Sequence, residues 1–157
     1  MKAGTLRRLI NLWPPFLCSG IQIKRISDDF REVEVVLKQH WYNSNYVGVH
    51  FGGSLFAMTD GLHMIMLIRI LGHDYYVWDQ RASIEYIKPG RGTVKAWFRL
   101  DDATLTTIRE KTVGGEKYLP EFDVVITDAG SEVVARVHKT LYVRHKPQKT
   151  VSPSPNR

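Results

Sequence analysis

Twenty consecutive residues, Gly52 to Leu71, constrain this chain's fold more than any other stretch. They read Gly-Gly-Ser-Leu-Phe-Ala-Met-Thr-Asp-Gly-Leu-His-Met-Ile-Met-Leu-Ile-Arg-Ile-Leu, and Gly72 follows as a helix stop. The run predicts one long helix, ~30 Å from end to end. Its apolar residues lie all round rather than along one stripe, and a helix of that kind is buried. Asp60, His63 and Arg69 interrupt the run, which argues against a membrane span. What remains is a central helix surrounded by sheet.

The flanking segments supply that sheet. Ile21 to Ile26 and Val33 to Leu37 alternate around the turn Ser27-Asp28-Asp29 and read as a β-hairpin. Tyr75 to Ile87 reads as a long strand, with Tyr76, Trp78, Ala82, Ile84 and Tyr86 on one face and Val77, Asp79, Arg81, Ser83 and Glu85 on the other. Lys88-Pro89-Gly90-Arg91-Gly92 is a turn. Val94, Ala96, Phe98 and Leu100 form the inward face of the next strand, and Asp101-Asp102 caps a short helix to about Lys111. Strands starting at Phe122 and Val133 complete a set of six. Antiparallel strands with one segregated long helix predict an α+β domain, a sheet wrapped around a helix. One such sheet cannot cover a helix that is apolar all round, so a two-fold copy is expected to supply the rest. The predicted organisation is an N-terminal helix over 1–19 packed on the domain, the domain at 20–145, and a disordered basic, proline-bearing tail over 146–157.

The 157 residues suffice for one domain with a full core, and the balance of 43% hydrophobic to 24% charged residues excludes global disorder. The single cysteine, Cys18, excludes a disulfide framework within the chain and suits a reducing, cytoplasmic setting. The net charge of +6 sits at the ends: residues 1–27 carry Lys2, Arg7, Arg8, Lys24 and Arg25 without an acid, whereas residues 28–130 are net acidic. A nucleic-acid domain carries its basic stripe on the folded body, so nucleic acid is not the expected partner. Asn11 and Pro14-Pro15 break the N-terminal apolar run, which therefore reads as an amphipathic helix on the domain rather than as a signal peptide or inserted anchor. No metal-ligand spacing, nucleophilic serine motif or phosphate loop is present.

Asp60 is the first candidate for chemistry. A carboxylate among Phe56, Met58, Leu62, Met64 and Ile65 is costly unless paired. It is either the ion-pair partner of a strand cation or a general base or nucleophile. His50-Phe51-Gly52-Gly53-Ser54 is the second element: paired glycines let another group approach the backbone, and free amides there can polarise a carbonyl. The same glycines would also serve tight packing alone. Gly52 and Asp60 would lie ~12 Å apart along one helix, too far for one site within one subunit. Antiparallel pairing of two copies would bring Gly52 of one chain beside Asp60 of the other. Asp79 reads as the partner of Arg81 or Lys38, or as a polar group of the same pocket. His63, Trp78 and Trp97 read as core.

The segment Asn45-Tyr46-Val47-Gly48-Val49-His50-Phe51-Gly52-Gly53-Ser54 through Asp60 resembles the signature of hotdog-fold acyl-CoA thioesterases. It is similar to the phenylacetic-acid-degradation type, whose pattern is Asn-x-x-Gly, His-Gly-Gly and a later Asp. Together with Val77-Trp78-Asp79 and Ile87-Lys88-Pro89-Gly90-Arg91, it more narrowly resembles a bacterial hotdog subfamily known only as a domain of unknown function. The resemblance implies an antiparallel sheet around a long central helix, in a homodimer or a tetramer of two such dimers. It implies hydrolysis of an acyl-CoA without a cofactor, CoA entering only as part of the substrate. Gly52 would offer its amide to the thioester carbonyl, Asp60 would activate water or attack the acyl carbon, and Asn45 would orient water or substrate. Gly53 and Asp79 would line the substrate pocket. Phe51 stands where the family has its histidine, and His50 is displaced by one residue, to act in substrate positioning or as a loop histidine. Lys88 and Arg91 are expected to meet the CoA phosphates. A non-hydrolytic acyl-CoA or fatty-acyl binding dimer, with Asp60 structural, is the alternative reading.

Overall fold

A computed structural model describes residues 1–147. The disordered tail expected over 146–157 falls almost wholly outside them. Lys146 is within them and is tied down: its backbone N–H donates to the Asp74 carbonyl at 2.7 Å and its ammonium lies over the Tyr76 ring.

Helices α1 (Ala3–Leu12) and α2 (Pro14–Leu17) lead into strands β1 (Ile21–Ile26) and β2 (Glu32–Lys38). A 3-10 turn at Trp41–Asn43 and a loop carry the chain to helices α3 (Gly52–Ala57) and α4 (Leu62–Leu71). Strands β3 (Tyr75–Tyr86) and β4 (Thr93–Arg99), helix α5 (Asp102–Thr112), and strands β5 (Lys117–Tyr118), β6 (Glu121–Thr127) and β7 (Val133–His145) follow. All pairings are antiparallel, in the order β1-β2-β4-β6-β7-β3, with β5 also against β7. This is the expected α+β sheet around helices, with the two-residue β5 as a seventh strand.

Alternation explains the core. Val33, Val35 and Leu37 of β2, Val94, Ala96 and Phe98 of β4, and Val124 and Ile126 of β6 point to one face. They pack on Leu55, Met58, Leu62, Met66 and Leu67 from the helical segment. The N-terminal helices lie against β1: Asn11 accepts from the Ile23 N–H at 2.7 Å and donates to its carbonyl at 3.0 Å, which occupies the exposed edge of β1. Asp101 caps α5 by accepting from the Thr104 N–H.

Two features differ from the sequence reading. The predicted single helix is broken. Residues 58–61 form a turn, and Gly61 at φ 68° adopts the left-handed conformation that glycine tolerates best. By length and hydropathy Gly52–Leu71 would suffice to cross a membrane, but here it is a broken helix whose buried side chains face the sheet. Secondly, a bulge lies between Asp79 and Arg81 of β3, so the alternation reverses there. Val77 and Asp79 face inward before it and Ala82 and Ile84 after it. Tyr76 and Trp78 face outward on an edge strand, where Trp78 stacks on Tyr142 at 4.1 Å between ring centroids. Trp97 is exposed too, so neither tryptophan is core.

Candidate active site

A cleft of about 570 Å³ opens at the start of α3, lined by Asn45, His50, Gly52, Gly53, Tyr86 and Lys88 among others. The N–H groups of Gly52 and Gly53 have no hydrogen-bond partner among the described residues, because they belong to the first turn of a helix. Glycine lets two side chains lie against the backbone here. A Cβ on Gly52 would come within 2.9 Å of the Tyr86 hydroxyl oxygen, and one on Gly53 would meet the Phe51 ring, so those side chains would have to swing aside. Tyr86 itself donates to the Gly52 carbonyl at 3.0 Å. The sequence reading gave Tyr86 no role; its place at the end of a strand, just before the Lys88-Pro89-Gly90 turn, is the signal that it borders the site.

His50 is fully buried at the back of this cleft. Its Nε2 donates to the Gly92 carbonyl at 2.9 Å, which fixes the proton on Nε2 and leaves Nδ1 without a partner. Burial pushes its pKa down, against the opposing effect of that carbonyl. His50 is therefore a neutral imidazole that anchors the 89–92 turn to the loop before α3. Asn45 also lines the cleft, but its carboxamide oxygen accepts from the Val47 and Val49 N–H groups, both at 3.1 Å. It holds the loop that carries His50.

Asp60 does not line the cleft. It stands at the break between α3 and α4, on a shallow groove with Gly53, Phe56 and Ala57. Its side chain is 71% exposed in the single chain, so it is not the buried carboxylate expected inside a continuous helix. It is paired, as one of the two readings required, and the cation is Lys139 of β7. The Lys139 side chain is 1% exposed. Its ammonium donates to the Thr59 carbonyl at 3.2 Å and to Asp60 Oδ1 at 3.3 Å, and lies 3.2 Å from Asp79 Oδ1. The Asp79 contact is ionic only, without hydrogen-bond alignment. Asp79 thus pairs with neither Arg81 nor Lys38: the bulge turns Asp79 inward, and Lys38 lies on β2, at the far side of the sheet. Sequence reasoning missed Lys139, although its signal is plain. It occupies the apolar register of β7, in step with Ala135, Val137, Leu141 and Val143.

His63 is core, as expected, stacked on Phe122 at 4.3 Å between centroids. Burial, aided by Lys139, pushes its pKa down to about 3. Lys88 borders the cleft, but its ammonium is paired with Asp128 at 2.7 Å and with Glu132. Those carboxylates hold its pKa up. Arg91 donates to the Gly48 carbonyl at 3.0 Å and does not line the cleft. No group of three or more His, Cys, Asp or Glu side chains is arranged to hold a metal among the described residues.

The geometry has relatives. The chain belongs to the family described as a domain of unknown function, DUF4442, which matches residues 3–143. No protein of curated function matches the sequence. Among solved structures, a Pseudomonas aeruginosa protein of unknown function, named a "Probable Thioesterase", is similar with a TM-score of 0.79 at 19% identity, over 90% of this chain and 95% of that one. A Haemophilus influenzae thioesterase is similar with a TM-score of 0.68 at 14% identity, over 96% and 95%. A Chlorobaculum tepidum protein of unknown function reaches 0.72 at 15% identity, over 92% and 94%. At these identities the likeness is one of fold: the sheet wrapped around a helical core is the hotdog fold.

Proposed function

We propose that this hotdog-fold chain is an acyl-CoA thioesterase whose site is completed by a second copy of itself. The observation that carries the reading is a cleft lined by Gly52 and Gly53, whose backbone N–H groups have no partner among the described residues. The thioester carbonyl oxygen would accept from these N–H groups, which belong to the first turn of α3 and so are held in place before the oxygen becomes negative. His50 and Asn45 hold the loop that keeps them in place.

Asp60 supplies the base or nucleophile. It stands outside the cleft of its own chain, so two-fold pairing of the helical segments would bring Asp60 of one copy to the cleft of the other. In the general-base form, the carboxylate takes a proton from water as the water oxygen bonds to the acyl carbon. The carbon–sulfur bond then breaks, the carboxyl proton goes to the leaving CoA sulfur, and the free acid remains. In the nucleophilic form, a carboxylate oxygen bonds to the acyl carbon as the carbon–sulfur bond breaks and CoA leaves as a thiolate; water then cleaves the mixed anhydride to the free acid and the Asp60 carboxylate, and the proton released goes to the thiolate. Neither form calls on a cofactor. Arg91, although outside the cleft lining, is the less committed cation for the CoA phosphates, because Lys88 is already matched by two carboxylates.

One observation favours the second reading, a non-hydrolytic acyl-CoA binder: within one chain Asp60 is an ion-pair partner and not a cleft residue. A panel of acyl-CoAs from acetyl to palmitoyl separates the two. Release of free thiol supports the hydrolase; tight binding without release supports the binder.

A further inference from the structure

We infer that Lys139 is the positioning residue of this site: it fixes the Asp60 carboxylate through Oδ1 and leaves Oδ2 to act, while Asp79 balances its charge. The inference rests on reading Asp60 as the base or nucleophile of the thioester reaction.

An ammonium with 1% of its side chain exposed is costly unless charges and hydrogen bonds surround it. Lys139 has three partners: its ammonium donates to the Thr59 carbonyl and to Asp60 Oδ1, and Asp79 Oδ1 lies 3.2 Å away as an ionic contact. Two of them, Thr59 and Asp60, lie in the turn that breaks the helical segment, so the same ammonium ties that turn to β7. The turn is reached through Gly61 in the left-handed conformation, and Asp60 therefore projects from a fixed backbone rather than from a helix face. Asp60 Oδ2 has no partner among the described residues. One oxygen is held and the other is available, the arrangement a carboxylate needs to present a lone pair in a set direction.

Asp79 gives the arrangement its charge. One ammonium between two carboxylates carries a net −1, so Asp60 is not neutralised by the group that holds it. The other groups facing Lys139 do not alter this balance. His63 from α4 is neutral, held so by burial and by the ammonium itself. Phe122 of β6 and Ala82 of β3 flank it in the sheet. Arg136 and His138 of β7 point to the opposite, solvent-facing side. Without Lys139, the two carboxylates would be left with no cation between them, which disfavours the charged form of each.

The test uses the full chain and two readouts. One is the acid limb of kcat for thiol release between pH 4 and 8. The other is the carboxyl-carbon titration of Asp60 by NMR, assigned with Asp60→Asn. In Lys139→Met, which keeps the length of the buried side chain, both midpoints should rise, because the carboxylate loses the cation beside it. The plateau of kcat should fall by about tenfold or more, because the carboxylate is no longer held. In Asp79→Asn both midpoints should fall, because Asp60 then has the ammonium to itself. A folded Lys139→Met protein with both midpoints unmoved would overturn the inference. If Lys139→Met does not fold, Asp79→Asn decides: a downward shift supports it, and an unmoved or raised midpoint overturns it. Should the wild-type protein release no thiol while the NMR midpoint moves as stated, the thioesterase reading fails and the positioning of Asp60 stands.

Discussion

Among single residues, the pair of aspartates around Lys139 divides stability from chemistry. Asp79 is 22% exposed and Asp60 71% exposed on the same ammonium. Removing a half-buried partner of a buried charge costs about 3–5 kcal/mol. Removing an exposed one costs less than about 1 kcal/mol once solvent screening is allowed for. Asp79→Ala should therefore lower the unfolding free energy several-fold more than Asp60→Ala, read from denaturant midpoints at constant slope. The cations near the cleft divide likewise. Lys88 is paired with Asp128 and Glu132, whereas the remaining donors of Arg91 have no partner among the described residues. Arg91→Ala should raise the KM for acyl-CoA more than Lys88→Ala, and should weaken its dependence on salt, since surface charge contacts are screened. Equal, unchanged constants would remove both from the phosphate site.

Helix α4 holds the largest single source of acid sensitivity, His63. His63 has its pKa lowered to about 3 in the folded chain, from an ordinary value near 6.5. Between those values the unfolded chain binds a proton that the folded chain refuses, so stability falls as pH drops through that window. His63→Phe should flatten the acid side of the stability curve by up to one proton's slope, measured by denaturation at successive pH values. Loss of no slope would mean that His63 is protonated without cost. The helices and strands also show what the sequence made legible. Apolar residues on every side of 52–71 disclosed a helical core, and period-two alternation disclosed the strands. The break at Gly61 was hidden because Asp-Gly inside an apolar run reads equally as helix interior or as turn chemistry, and only packing on the sheet decides. The bulge after Asp79 was hidden because one extra residue leaves composition unchanged while reversing every face beyond it. Lys139 escaped because its partners, Asp60 and Asp79, are far away in sequence, and only the fold brings them together. Gly52 and Gly53 were legible as a place of close backbone approach, and Tyr86 and Phe51 are what approach them.

At the scale of the molecule, α4 turns Leu62, Met66 and Leu67 to the sheet but leaves Met64, Ile65 and Ile68 partly open, and Phe51 is exposed at the cleft mouth. A second copy would cover this surface and deliver Asp60 to the cleft. Light scattering at low micromolar concentration should find no folded monomer; a stable monomer would remove the shared site. The measurement that bears most directly on the account is thiol release from acyl-CoA by the wild-type protein and by Asp60→Asn, side by side on the same substrates, with binding measured alongside. The wild type should release thiol on at least one chain length. Asp60→Asn should be slower by ~100-fold or more, the usual scale for a lost general base, with acyl-CoA binding retained. Wild-type rates in a folded Asp60→Asn protein would contradict it.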